Sequence, residues 1–214
     1  AYQELLRDYP DYAARDAALY QLARASEVAG DADAAMAALD ELVLRHPQGA
    51  HADEAQFRRG EVYFSAQRYA DAGQAYGAVL AMGPASSFYE QALYKRGWAQ
   101  FKLGDNAASS RDFLALLDTL LASPDPATPQ GLRDRAMLEM LYGGGLRISE
   151  LTGLDMRQMN LGDGSAIVHG KGAKERVVLF GEPAMVALET YLAAARPLLA
   201  VPSTGHHVDP ALFL

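Results

Sequence analysis

The sequence predicts a mainly α-helical protein in two parts, an α-solenoid of helical hairpins followed by a smaller α+β part with a β-hairpin. Three observations predict this architecture. Apolar residues recur with a 37-residue period over residues 1–120. A proline-rich stretch, ASPDPATPQG at 122–131, then interrupts the period. Beyond it, β-branched runs lie on both sides of a glycine-lysine-glycine turn at 170–172.

The composition is that of a folded protein without a membrane span. Half of the 214 residues are hydrophobic, and no uninterrupted apolar run is long enough to cross a bilayer. The absence of cysteine excludes disulfides and thiolate metal sites. The chain begins AYQELLRDYP, without a signal peptide and without an initiator Met, so we expect a fragment or a processed chain.

The formal net charge of −8 is unevenly distributed along the chain. Residues 131–214 carry eight Lys and Arg against nine Asp and Glu, whereas residues 1–130 carry 11 against 18. The net charge argues against a protein that coats nucleic acid over its whole surface. Because the acidity belongs to the first part, it says little about the second.

The first part is an internal repeat in which five sets of equivalent positions, or registers, recur every 37 residues. These registers are Pro10, Pro47 and Pro84; Ala18, Ala55 and Ala92; Tyr20, Phe57 and Tyr94; Leu5, Leu42, Val79 and Leu116; and Tyr2, Leu39, Tyr76 and Phe113. The small residues let two helices approach closely, and the prolines close each unit. Each unit is therefore expected to be a helical hairpin that buries its apolar face only against its neighbours.

A hairpin unit with Gly97, Gly104 and Phe113 in this order resembles a tetratricopeptide repeat (TPR). The stretch FYEQALYKRGWAQFKLGD at 88–105 is similar to the bacterial envelope-associated members of that family. The resemblance covers residues 1–120, with an incomplete first unit, and implies a concave surface for an unknown protein or peptide. A solenoid spacer without any ligand is an equally open interpretation.

The period is not resumed after the first part. The register predicts a proline at position 121, where the sequence has Leu121, and three prolines follow within 122–131. This composition is typical of a linker. We therefore expect a junction at 121–131 and a second domain at 132–214.

The second part has the pattern of helices around a β-hairpin. A helix is expected along GLRDRAMLEMLYGGG, ended by its three glycines, with a buried side formed by Ala136, Met137, Leu138, Met140 and Leu141. A short helix follows over 148–154, two antiparallel strands lie within 165–180, and a last helix covers 182–199.

Basic residues at two of these turns predict a phosphate site. Arg147 lies at the mouth of the short helix, and its guanidinium offers planar, paired donors to phosphate oxygens. Taken alone, such an arginine is more often part of a surface salt bridge. Lys171 does not complete the G-x-x-x-x-G-K pattern of a nucleotide phosphate loop, and no Ser or Thr follows it. The pair at 206–207 has no third ligand at suitable spacing, so we predict loop histidines and no metal site.

A second resemblance joins these features. GLRDRAMLEMLYGGGLRISELTGLDMRQMNL, then GKGAKERVVLFG and the final ALFL, are similar to the first half of the catalytic domain of Xer-type tyrosine recombinases, in the phage integrase family. The similarity covers about residues 122–214. It implies site-specific DNA recombination and integration, in which a tyrosine attacks a backbone phosphate and forms a 3′-phosphotyrosine. No metal or cofactor is implied.

The resemblance also implies roles for individual residues. Arg147 would stabilise negative charge on the phosphate in the transition state, and Lys171 would protonate the departing 5′-oxygen. Glu150 would support the site by orienting it, and Lys174 and Arg176 would contact phosphates of double-stranded DNA. A DNA substrate implies the cytoplasm for this part, whereas the TPR resemblance implies an envelope origin for the first.

The nucleophile of that family is not found in the sequence. None of the five histidines begins the H-x-x-R motif, and Tyr142 and Tyr191 lie in expected helices at positions that do not match the family's tyrosine. The sequence therefore predicts a chain that is inactive by itself. Three interpretations stay open: the truncated front of a longer fused recombinase, a protein-interaction module with a vestigial recombinase half, or an artificial or misassembled chimera.

Overall fold

The structure, a computed structural model, describes residues 1–170, 175–200 and 209–214. The chain divides into two compact units, Ala1–Leu117 and Asp118–Leu214. Helices predominate among the described residues, and the second unit also contains one three-stranded antiparallel sheet. The mainly α-helical class that the sequence predicts is confirmed. No helix in the described ranges is long and apolar enough to cross a membrane.

The first unit is built from helices that repeat at the period of the sequence. They are α1 (Tyr2–Asp8), α2 (Arg15–Ala29), α3 (Ala32–Arg45), α4 (Ala52–Ser65), α5 (Tyr69–Ala81), α6 (Tyr89–Lys102) and α7 (Asn106–Ala122). The even-numbered helices begin at 15, 52 and 89, and their partners begin at 32, 69 and 106. Both series advance by 37 residues, so each sequence period corresponds to one pair of helices.

In the α4–α5 and α6–α7 pairs, a glycine on the first helix faces a ring on the second. A Cβ on Gly60 of α4 would collide with the ring of Tyr76 on α5, and one on Gly97 would lie 2.9 Å from the Phe113 ring. Tyr76 is fully buried. Because these glycines are 37 residues apart, as are these rings, close helix packing is part of the repeat.

The first helix that lies wholly in the second unit is α8 (Pro129–Gly144). Thr128 caps this helix by accepting a hydrogen bond from the Gly131 backbone N–H, and Pro129 takes the first helical position. The predicted junction at 121–131 is thereby shortened to 123–128, because its first two residues continue α7 and its last three begin α8. Pro129 acts here as a helix start rather than as part of a linker.

The remaining elements follow in the predicted order. They are α9 (Ile148–Thr152), a 3₁₀ turn (Met156–Gln158), β1 (Met159–Asn160), β2 (Ser165–His169), β3 (Glu175–Leu179), α10 (Glu182–Thr190), a π-helical turn (Tyr191–Ala195) and α11 (Arg196–Leu199). The sheet order is β1-β2-β3, and β2 pairs with β3 as an antiparallel hairpin. The expected hairpin is present, whereas the expected last helix is interrupted by the π-helical turn.

The core of the second unit lies among α8, the inner face of the sheet, α10 and the π-helical turn. Its largest fully buried side chains are Met140, Leu151, Val168, Leu188, Tyr191 and Leu212. Of the five α8 residues expected on the buried side, Ala136 and Met140 are buried and the other three are partly exposed. Of these three, Met137 and Leu141 still pack against the core, so the expected buried side is confirmed except at Leu138.

Candidate functional site

Arg147 lies in the turn between α8 and α9, directly before the first residue of α9. Gly145 ends α8 with a left-handed φ of 56°, and Arg147 then has extended backbone angles. A Cβ on Gly144 would lie 2.9 Å from Val178, so the end of α8 packs closely on β3. The Arg147 side chain is 73% exposed. This packing brings an accessible guanidinium next to the hairpin.

Glu150, one turn into α9, is the buried centre of the site. Its side chain is only 2% exposed. One carboxylate oxygen, Oε2, accepts the backbone N–H of Arg147 at 2.9 Å, and Oε1 accepts Nη1 of Arg147 at 2.8 Å. The Nη2 atom of Arg176 also donates to Oε2, at 2.9 Å. A single carboxylate therefore holds two guanidinium groups from distant parts of the chain.

These hydrogen bonds keep Glu150 ionised. The backbone N–H of Arg147, followed by the guanidiniums of Arg176 and Arg147, lowers the pKa of Glu150 from 4.5 to about 2. Two guanidiniums and one carboxylate leave one net positive charge at the site. Arg147 has further N–H donors besides the one on Glu150, so the arrangement can accept an anion such as a phosphate.

Arg176 reaches this site from β3. Besides its bond to Glu150, its Nη2 atom donates to the Gly145 carbonyl at 3.4 Å, and its side chain is 43% exposed. The sequence predicts Arg176 as a DNA contact but does not predict its bond to Glu150. The two residues are 26 positions apart, and helical or strand periodicity gives no signal for a contact between separate elements.

Two of the predicted site residues, Lys171 and Lys174, lie outside the described residues. The strands on either side of them are described, and the last pair of the hairpin joins His169 to Glu175. Nδ1 of that histidine lies 3.5 Å from the glutamate carboxylate.

No metal site is present in the described ranges. The histidines at 206 and 207, predicted as loop residues, fall within the undescribed segment 201–208. Among the residues with described positions, no group of three or more His, Cys, Asp or Glu side chains could hold a metal ion.

The two tyrosines considered as nucleophiles differ in exposure. Tyr191 is fully buried, its ring stacks on Phe213, and its hydroxyl accepts the Leu214 backbone N–H at 3.0 Å. Burial raises the pKa of Tyr191. Tyr142 is exposed on α8. The contacts of Tyr191 are those of a core residue.

Comparison with known proteins places the site in a family context. Residues 112–213 match the phage integrase family. Over 95 residues the chain is 50% identical to the tyrosine recombinase XerC of Pelotomaculum thermopropionicum, and over 93 residues it is 55% identical to XerD of Xanthomonas axonopodis. The second unit is homologous to the Xer tyrosine recombinases. A third relative, XerD of Vibrio cholerae, is 47% identical over 97 residues.

The Xer similarity covers only part of each protein. It spans 44 to 45% of this chain and 30 to 32% of the three relatives, so the chain covers about a third of their length. A solved XerA recombinase aligns with 84% of this chain and 67% of its own, with a TM-score of 0.35 and 15% identity. A score this low does not bear on the fold.

The first unit matches a different family. Residues 12–123, just over half of the chain, match the YfiO family of outer membrane lipoproteins. Over these residues the chain belongs to the YfiO family. The YfiO and phage integrase matches overlap at 112–123, and residues 112–122 of this overlap belong to α7.

Proposed function

We propose that the second unit binds double-stranded DNA through a backbone phosphate, as part of a site-specific tyrosine recombinase catalytic domain. The observation that carries the proposal is the buried Glu150 carboxylate, which holds the guanidiniums of Arg147 and Arg176 together. This cluster lies inside the segment that is homologous to the Xer recombinases. A guanidinium fixed by one carboxylate and open on its other side is suited to phosphate.

Within this proposal each residue has a separate role. Arg147 donates to the phosphate oxygens and stabilises their growing charge, and Glu150 is a positioning residue that does not touch DNA. Lys171 is the general acid for the 5′-oxygen, as the family resemblance implies. Lys174 and Arg176 contact neighbouring phosphates. A DNA substrate places this activity in the cytoplasm.

We also infer that these 214 residues bind DNA without cutting it. The sequence contains no H-x-x-R motif, and Tyr191 is enclosed in the core. Strand cleavage of this type requires a tyrosine that reaches the phosphorus atom, and loss of the nucleophile removes most of the rate.

The test is duplex binding by the full chain, followed by fluorescence anisotropy on a labelled mixed-sequence duplex. A hydrogen bond to a charged group contributes about 1.5–3 kcal/mol, so Arg147→Ala should weaken binding by about tenfold or more. Arg157→Ala is the matched control, because Arg157 is exposed in the same unit and pairs only with Asp155 among the described contacts.

Equal loss in both variants, or none in either, would contradict the proposal. The same mixtures, run on a denaturing gel, should show no covalent protein–DNA adduct. An adduct that disappears in Tyr142→Phe would show that the chain carries its own nucleophile.

The repeats favour a second function, binding of a partner protein by a TPR-like array. The observation for it is the regular advance of the helices by 37 residues, which lines up equivalent side chains along α2, α4 and α6. Arrays of this kind present extended surfaces to their ligands.

A further inference from the structure

Equivalent side chains join α2 to α4 in the first unit. The Tyr20 and His51 rings stack with their centroids 4.4 Å apart. Seven residues beyond His51, the Arg58 guanidinium lies 2.8 Å from the Glu27 carboxylate. A ring directly before α4 and a cation seven residues later on α4 therefore both contact α2.

The junction between α4 and α6 repeats this pattern 37 residues later. The Phe57 and Phe88 rings pack with centroids 5.2 Å apart. Seven residues beyond Phe88, the ammonium of Lys95 lies 5.7 Å from the Phe64 ring centroid and 2.8 Å from the Glu61 carboxylate. The second helix of each junction thus presents a ring followed by a cation.

The same face of α6 is uncovered. The α6 residues that lie 37 positions after Phe57, Glu61 and Phe64 are Tyr94, Trp98 and Phe101. They are 46%, 37% and 51% exposed, whereas Tyr20, which is equivalent to Tyr94, is 7% exposed. Trp98 packs edge-on against Phe101 at 5.6 Å and against Phe113 at 5.9 Å. The rings therefore form a preorganised apolar surface, which we call the α6 face.

The chain's own sequence does not supply the next ring and cation. The register places them at Asp125 and Leu132, which are an acid and an aliphatic residue. A second copy does not supply them from its first complete helix either, where the equivalent positions are Ala14 and Gln21. The matching pairs on α4 and α6 are already engaged within the unit.

We propose that the α6 face binds an amphipathic helix of another protein, with an aromatic side chain and, seven residues later, a lysine or arginine. Continuity with the two covered junctions supports this occupant. The ring would pack on Tyr94, and the cation would lie over Trp98 and Phe101. These two rings stand at the register positions of Glu61 and Glu27, the carboxylates that face the cation in the second and first junctions. The inference rests on the partner-binding function proposed for the repeats.

The probe is a peptide with the sequence of residues 86–104, carrying Trp98→Phe. It contains Phe88 and Lys95, the ring and the cation that contact α4, at the required spacing. Trp98 is the only tryptophan of the protein, so its fluorescence reports directly on the α6 face. We expect a saturable change on titration of the full chain. Replacing both peptide residues by alanine should weaken binding by about tenfold.

Two variants of the protein separate the possible results. Phe101→Ala should weaken binding to a similar extent, and Leu44→Ala, at an exposed apolar position on α3, should not. Binding that survives Phe101→Ala would keep partner binding and overturn the α6 face. Absence of peptide binding would also overturn it. Self-association of the chain in sedimentation, with Trp98 fluorescence showing burial, would overturn it in favour of a second copy as the occupant.

Discussion

Glu150 is the residue on which the geometry of the proposed phosphate site depends. Its carboxylate is buried and accepts three hydrogen bonds, two from Arg147 and one from Arg176. Glutamine in its place would turn N–H donors toward guanidinium donors, so an isosteric substitution cannot preserve the cluster. A buried group that loses its partners destabilises the structure around it.

Glu150→Gln should therefore lower the melting temperature of the second unit at neutral pH. In the folded protein the pKa of the Glu150 carboxyl is about 2, below its ordinary 4.5. The stability that Glu150 contributes is therefore present above pH 4.5 and is lost as the pH falls toward 2. Calorimetry of the full chain from pH 7 to pH 2 measures this. The variant should lose that part of the pH dependence.

Asp155→Asn is the control for this prediction. The guanidinium of Arg157 likewise lowers the pKa of Asp155 to about 2, so acid sensitivity changes in both variants. The Asp155→Asn variant keeps the Glu150 carboxylate that holds Arg147 and Arg176, whereas Glu150→Gln does not. DNA affinity should therefore be preserved only in Asp155→Asn. Unchanged stability of Glu150→Gln at every pH would show that the cluster is not formed.

At the scale of elements, the α4–α5 and α6–α7 pairs of the first unit each depend on a glycine facing a ring. Gly60 leaves room for Tyr76, whose hydroxyl donates to the Glu61 carboxylate and is therefore held in place. The ring cannot move away without losing this hydrogen bond. The pairing explains why the repeat keeps glycine inside helices, where it is intrinsically unfavourable.

Gly60→Ala should destabilise the first unit by about 1–3 kcal/mol, because the added methyl group overpacks the contact with Tyr76. The matched control is Gly73→Ala on α5, where a methyl group would meet no atom within 4 Å. That variant should gain up to about 1 kcal/mol from helix propensity. Urea unfolding of both measures the difference, and equal effects would contradict the packing.

The elements also show what the sequence could and could not predict. The 37-residue registers predict the helical hairpins because each period repeats the same packing, and the β-branched runs around Gly170 predict β2 and β3. The short strand β1 and the π-helical turn have no such pattern. The bond between Glu150 and Arg176 joins elements 26 residues apart, where only tertiary packing decides which side chains meet.

At the scale of the whole molecule, the two units have different relatives and different charge. The first unit belongs to the YfiO family and carries 11 Lys and Arg against 16 Asp and Glu, whereas the second is homologous to the Xer recombinases and carries 8 against 11. Under the proposals above, one unit binds a helix of a partner protein and the other binds DNA. A chain with both activities would bring that partner to DNA.

The measurement that tests the phosphate site most directly is the salt dependence of duplex affinity for the full chain. Affinity should fall steeply between about 50 and 200 mM salt, because each phosphate contact releases counterions. Arg147→Ala should reduce the slope of log affinity against log salt by about one, and Arg157→Ala should leave it unchanged. A slope that Arg147→Ala does not alter would contradict the account.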